Sequence, residues 1–95
     1  MPLSFPSPSA TLSQYGLRPK KSFGQNFIKE PGVVERIARE CSDVPARVLE
    51  IGAGLGALTF ALLNQGHTVT AIERDRELVP ILEDLGREAI AEGRL

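Results

Sequence analysis

Val48-Leu49-Glu50-Ile51-Gly52-Ala53-Gly54-Leu55-Gly56 reads as a short buried strand running straight into a glycine turn. Three apolar residues interleave with one carboxylate, and glycine then recurs at every second position. Ala57-Leu58-Thr59-Phe60-Ala61-Leu62-Leu63 follows at once and reads as a helix. Glycine takes φ > 0 and has no Cβ, so such a turn can be sharp and still leave room for a ligand against backbone. The helix behind it offers unpaired N–H groups and a positive dipole end. About twenty residues further on, Ile72-Glu73 closes a second apolar run, where a carboxylate can accept hydrogen bonds from ribose hydroxyls. The same spacing also suits a tight strand-to-helix turn with no ligand, in which Glu50 caps nearby backbone N–H groups.

Working outward, residues 69–72 form a second strand, and Gly66 is placed to stop the intervening helix as its C′ residue. His67, the sole histidine, has no acid or nucleophile beside it and reads as a surface residue. Asp75 is the expected N-cap of the next helix, whose apolar face is Leu78, Ile81, Leu82 and Leu85. Pro80 lies inside that pattern and predicts a non-α first turn or a kink. Gly86 leaves the helix end open, with Ala89 and Ile90 as an extension, and Gly93-Arg94-Leu95 reads as a turn into a third strand. Upstream of the first strand, Pro31 suits a first helical turn, and Val34, Ile37, Ala38 and Cys41 share one face. Cys41 is therefore expected in the core. Ser42, Asp43 and Pro45 end that helix.

A helix, a strand, a crossover helix and a parallel strand make one βαβ unit of an α/β fold. Two strands leave apolar sheet and helix faces without partners, so the chain is expected to be the opening part of a larger domain. Its 95 residues, 42% of them hydrophobic, amount to at most one small domain. The net charge of −1 hides an asymmetry. Residues 1–29 carry Arg18, Lys20, Lys21 and Lys29 and no acid, whereas the rest holds 7 basic and 12 acidic side chains. A basic arm on an acidic body fits a polyanion near the N-terminus, and it equally fits a solvated leader. Residues 1–15, with Pro2, Pro6 and Pro8 and four serines, read as disordered or loosely tethered chain. One cysteine excludes an internal disulfide and gives no metal cluster. With no membrane-length apolar run and no signal peptide, a cytoplasmic protein is expected.

The glycine spacing departs from the dinucleotide fingerprint, whose third glycine follows the second by three residues, and no Lys-Ser/Thr pair marks a triphosphate loop. S-adenosylmethionine has no phosphate. It needs close backbone approach for its aminoacyl part and a carboxylate for its ribose, and the glycine turn and Glu73 meet those two needs.

Three stretches in order, Lys20-Lys21-Ser22-Phe23-Gly24-Gln25-Asn26-Phe27-Ile28, then Val48 to Thr59, then Ala71-Ile72-Glu73-Arg74-Asp75, resemble the ribosomal RNA small-subunit adenine N6,N6-dimethyltransferases. The glycine motif alone indicates only a Rossmann-like methyltransferase; the segment ahead of it is the specific one. The resemblance implies the N-terminal part of a Rossmann-like S-adenosylmethionine-dependent methyltransferase domain, incomplete over residues 20–95 and preceded by a loose basic leader over 1–19. It implies Asn26 and Ile28 as the near wall of the cofactor pocket, Gly52 and Gly54 as its glycine turn, and Glu73 on the ribose, with Gln25 and Phe27 in support. Position 28 is more often leucine in that family. Arg18, Lys20 and Lys21 are the candidate RNA contacts, and small-subunit ribosomal RNA or its precursor is the implied partner, with no metal. The acidic residue that reads the cofactor's adenine, the Asn-Leu-Pro-Tyr-like motif and the helical RNA-docking domain are expected beyond Leu95, so no catalytic residue falls within the chain. Two alternatives stand beside this reading: a non-enzymatic RNA-binding or transcription-factor relative of the same fold, and a nicotinamide-dependent oxidoreductase segment.

Overall fold

The computed structural model describes residues 8–18 and 31–95. Its elements are α1 (Pro8–Gln14), α2 (Pro31–Cys41), β1 (Arg47–Ile51), α3 (Ala57–Asn64), β2 (Thr68–Ile72), α4 (Val79–Leu85) and α5 (Arg87–Ala91). β1 and β2 pair in parallel, from Arg47 opposite Thr68 to Ile51 opposite Ile72. Because side chains alternate across a strand, Val48, Glu50, Val69 and Ala71 share the sheet face toward α3. Residues 59–63 of α3 are all buried, so that helix is covered on nearly every side.

α3 ends as its glycine predicts. Gly66 has φ +89, its N–H donates to the Leu63 carbonyl (3.0 Å), and the His67 N–H donates to that of Leu62 (3.2 Å). This paired bonding satisfies the last carbonyls of the helix and reverses the chain. The reversal carries His67 inward rather than to the surface. It is 1% exposed, and its Nδ1 accepts the Ala46 N–H at 3.0 Å, tying the α3–β2 corner to the entrance of β1.

α2 packs on α3 through Val34 and Ala38, but Ile37 and Cys41 are exposed, which corrects the expected core position of Cys41. Periodicity gives an azimuth around a helix and not the length of its neighbour. α3 has eight residues, roughly 12 Å of helix, and Cys41 is the last residue of α2.

Asp75 does not cap α4, which starts at Val79 with Leu78 at its N-cap and Pro80 in its first turn. A separate turn precedes it, as Pro80 requires: the Leu78 N–H donates to the Asp75 carbonyl, and Asp75 Oδ1 accepts the Glu77 N–H. Gly86 separates α4 from α5. A Cβ there would lie 2.5 Å from the Leu95 side chain and 3.1 Å from the Leu82 carbonyl. The expected third strand is represented by one bond, from the Val69 N–H to the Arg94 carbonyl (2.8 Å).

The leader also differs from expectation. Over residues 8–18 it is helix α1 and its C-terminal turn, with Thr11 and Leu12 buried, rather than loose chain. Tyr15-Gly16-Leu17 repeats the ending of α3: Gly16 has φ +70, and the Leu17 N–H donates to the Leu12 carbonyl.

Among the described residues no helix is long and apolar enough to cross a membrane, and no cluster of three or more His, Cys, Asp or Glu side chains could hold a metal. The sheet face away from α3 exposes Leu49, Ile51 and Ile72 at 62%, 71% and 48%. Parallel sheets are normally covered on both faces, so the isolated 95-residue chain should self-associate. Sedimentation velocity over a concentration series checks this, and a concentration-independent monomer with a sharp melt would refute it.

Candidate cofactor-binding site

β1 ends at Ile51, and the chain stays bonded to β2 for two more residues. The Gly52 and Ala53 N–H groups both donate to the Ile72 carbonyl, at 2.7 and 3.2 Å. The alternation of glycine then has a backbone cause. Gly52, Gly54 and Gly56 have φ of +75, +60 and +90, a region that costs an L side chain about 1–2 kcal/mol. Their surroundings differ. Around Gly52 no described residue lies within 4 Å of where a Cβ would stand, so on that side its backbone is open. At Gly56 a Cβ would come within 2.7 Å of the Phe60 ring and 2.9 Å of Leu82. Gly52 borders room for a ligand, and Gly56 allows helix α3 to seat against its own turn.

Glu73 follows β2 and reaches back to the turn. Its Oε1 accepts the Gly54 N–H at 2.7 Å and its Oε2 accepts the Asp75 N–H at 2.8 Å. An ionised carboxylate has about four acceptor sites, so each oxygen keeps one for a further donor. Glu73 thus joins the two loops at the C-terminal ends of the parallel strands, the edge where open α/β sheets bind ligands. An apolar cavity of about 290 Å³ lies along β2 and is lined by Thr70, Ala71, Glu73, Leu82 and others, but Gly52 does not line it. The open backbone and the oriented carboxylate therefore mark the candidate site better than this cavity does.

Glu50 is buried on the α3 side of the sheet and accepts the Thr59 hydroxyl at Oε1, so it anchors α3 rather than capping turn amides. Burial pushes its carboxyl above the ordinary 4.5, against the lowering effect of the Thr59 hydrogen bond. With the folded value raised, the folded chain holds more proton between the two values, and stability falls as pH rises through that window. Glu50→Gln keeps an acceptor for Thr59 and removes the buried charge. The variant should be the more stable at about pH 7, with the gap closing toward about pH 3, where the carboxyl is protonated in either state. Urea unfolding of both proteins at the two pH values measures this, and a pH-independent gap would refute it.

Of the residues singled out from sequence, Gly52, Gly54 and Glu73 come together here. Arg18 is exposed just past α1. Asn26, Ile28, Gln25, Phe27, Lys20 and Lys21 lie outside the described residues. Sequence reasoning put Leu78 and Ile81 on an apolar helix face but missed Leu12 and Leu55, which cluster with them. The Leu-x-x-Tyr-Gly-Leu spacing of residues 12–17 was the available signal, since a glycine-stopped helix often sets its C″ residue against C3.

Residues 16–90 match the family described as ribosomal RNA adenine dimethylase. The chain belongs to the ribosomal RNA adenine dimethylase family. It is 51% identical over 79 residues to the protein named ribosomal RNA small subunit methyltransferase A of Anaeromyxobacter sp. (strain K), covering 82% of this chain and 28% of that protein. The same-named protein of Magnetococcus marinus is 51% identical over 73 residues, 75% of this chain and 26% of the relative. That of Bifidobacterium longum is 52% identical over 64 residues, 66% and 21%. The chain thus spans about a quarter of the length of these relatives. Within the dimethylase family, the matched stretch takes in the glycine turn, Glu73 and the basic positions from Arg18 onward. Membership removes the ground for the oxidoreductase alternative, whose glycine spacing was already wrong.

Proposed function

We propose that this chain is the cofactor-side part of a Rossmann-like, S-adenosylmethionine-dependent methyltransferase that dimethylates adenine N6 in small-subunit ribosomal RNA. The observation that carries the reading is the Glu73 carboxylate, held by the Gly54 and Asp75 N–H groups beside the open backbone of Gly52. The residues fit the cofactor in kind: Gly52 allows backbone contact with its aminoacyl part, and the free acceptor sites of Glu73 suit two ribose hydroxyls. When bound, S-adenosylmethionine supplies a methyl group on a sulfonium.

The chain's own residues orient that group. Two backbone donors fix the Glu73 oxygens, and the turn bonds to Ile72 fix Gly52 relative to them. Alignment of this kind converts binding into rate once the acceptor nitrogen is also held. The family resemblance supports Asn26 and Ile28 as further cofactor contacts. The acceptor adenine must leave its stack or sit in an RNA loop, and the groups that hold it are proposed to lie downstream of residue 95, so these 95 residues alone are inactive.

Calorimetric titration of S-adenosylmethionine and of NAD into the full-length protein, with nucleoside mass spectrometry of treated ribosomal RNA, tests the reading. Cofactor binding and dimethyladenine are expected. RNA binding without methyl transfer would favour the non-enzymatic relative, and NAD binding would restore the oxidoreductase.

The basic leader is proposed to touch RNA phosphates beside the entering base. Replacing Arg18, Lys20 and Lys21 together with alanine should reduce the log–log salt slope of RNA affinity by about 2 units, through lost counterion release. Cofactor affinity should not change. Affinities at several salt concentrations decide it, and parallel plots for parent and variant would make the arm a solvated leader.

A further inference from the structure

The glycine turn is hard to grip. Among residues 52–56 only Leu55 has a side chain longer than a methyl group, and three of the five are glycines with wide conformational freedom. Leu55 is therefore the largest packing handle of this turn, beside the small buried methyl of Ala53. The Leu55 side chain is 5% exposed and lies in a buried cluster with Leu12, Leu78 and Ile81, against which Leu17 and Leu85 also pack. Leu78 ends the turn that begins at Asp75, whose N–H is bonded to Glu73. The cluster therefore joins the backs of both loops that form the site. Among the described residues Leu12 is its one buried member from outside residues 52–85, and it comes from α1.

α1 is itself fixed at its exposed rim and at its end. The Tyr15 hydroxyl donates to Asp84 Oδ2 at 2.7 Å, which ties the helix to α4. The Gly16 turn returns Leu17 to the same cluster, with its N–H on the Leu12 carbonyl at 2.8 Å.

We propose that α1 is a strap for the cofactor site, with Leu12 as its anchoring and positioning residue: by packing behind Leu55 and Leu78 it holds the glycine turn and the Glu73 loop in register and so sets affinity for S-adenosylmethionine. This rests on the cofactor reading given above. Leu12 does not touch the ligand space; it acts through Leu55 and Leu78.

The test uses the full-length protein with Leu12→Ala, Leu12→Met and Tyr15→Phe. Amide hydrogen exchange is followed without ligand, and S-adenosylmethionine affinity by calorimetry. Leu12→Ala should speed exchange at Gly54 and Asp75 and raise the Kd by about tenfold, a fraction of the usual cost of a buried Leu→Ala cavity. The β1–β2 ladder amides should keep their rates. Leu12→Met should restore both readouts, since volume-conserving swaps are tolerated. Tyr15→Phe removes only a rim hydrogen bond and should shift Kd about twofold. Unchanged rates at Gly54 and Asp75, an unchanged Kd, or uniform acceleration that includes the ladder would each overturn the strap. Wild-type protein that binds no S-adenosylmethionine would overturn the functional reading instead, and the local exchange rates would then decide the strap by themselves.

Discussion

Gly52→Val is expected to abolish S-adenosylmethionine binding in the full-length protein while leaving it folded. The position has φ +75, and no described residue lies within 4 Å of where its Cβ would stand. The described residues therefore leave space for a side chain, and the object displaced is the proposed ligand. A β-branched residue would also pay about 1–2 kcal/mol or more for the left-handed conformation. Relieving that strain would swing the Gly52 N–H away from the Ile72 carbonyl, which it meets at 2.7 Å. A loss beyond about 2 kcal/mol corresponds to more than about thirty-fold in affinity. Calorimetry gives the affinity and circular dichroism the fold. Retained binding in a folded Gly52→Val protein would make the turn purely structural. Gly56→Val is the instructive contrast, since a Cβ there would meet the Phe60 ring at 2.7 Å and the damage should fall on stability.

Glu73→Ala is expected to be the next largest loss. The carboxylate has two structural partners, the Gly54 and Asp75 N–H groups, besides the proposed ribose. Charge-assisted hydrogen bonds are each worth roughly 1.5–3 kcal/mol, so the alanine variant should weaken cofactor binding by at least that amount and loosen both loops. Glu73→Gln should lose less but not little. Its remaining oxygen can serve Gly54, whereas its NH2 would face the Asp75 N–H donor to donor. Titration with S-adenosylmethionine ranks the three proteins, and unchanged affinity in Glu73→Ala would remove this residue from the site.

The order strand, glycine turn, helix, strand was readable because each step is local. Glycines at alternate positions, β-branched residues in β2, and Gly66 after α3 each state a backbone preference that needs no distant partner. The same holds for Pro80, whose expected non-α turn precedes α4. What the local pattern missed were the facts that depend on a neighbour. Cys41 has the right azimuth on α2 but lies at the helix's last residue and is exposed. His67 carried no motif, yet the turn at Gly66 buries it under the Ala46 N–H. Asp75 has a capping side chain, but the turn it caps is not the helix.

For the site, the residue types and the family were fixed by sequence alone: glycines 52, 54 and 56, and an acid after the second strand. Only tertiary structure brought Glu73 onto the Gly54 N–H, 19 positions away, because that contact exists only once β1 and β2 pair in parallel and in register. Likewise only the folded chain separates Gly52, open to a ligand, from Gly56, closed by Phe60 and Leu82, since identical residues differ solely in what surrounds them. The leader is the strongest case. Its prolines and serines speak for a chain too polar to order itself, and α1 forms where Leu12 finds a cluster built by Leu55, Leu78 and Ile81. Burial against residues more than forty positions away stabilises that helix, and no local signal encodes such a partner.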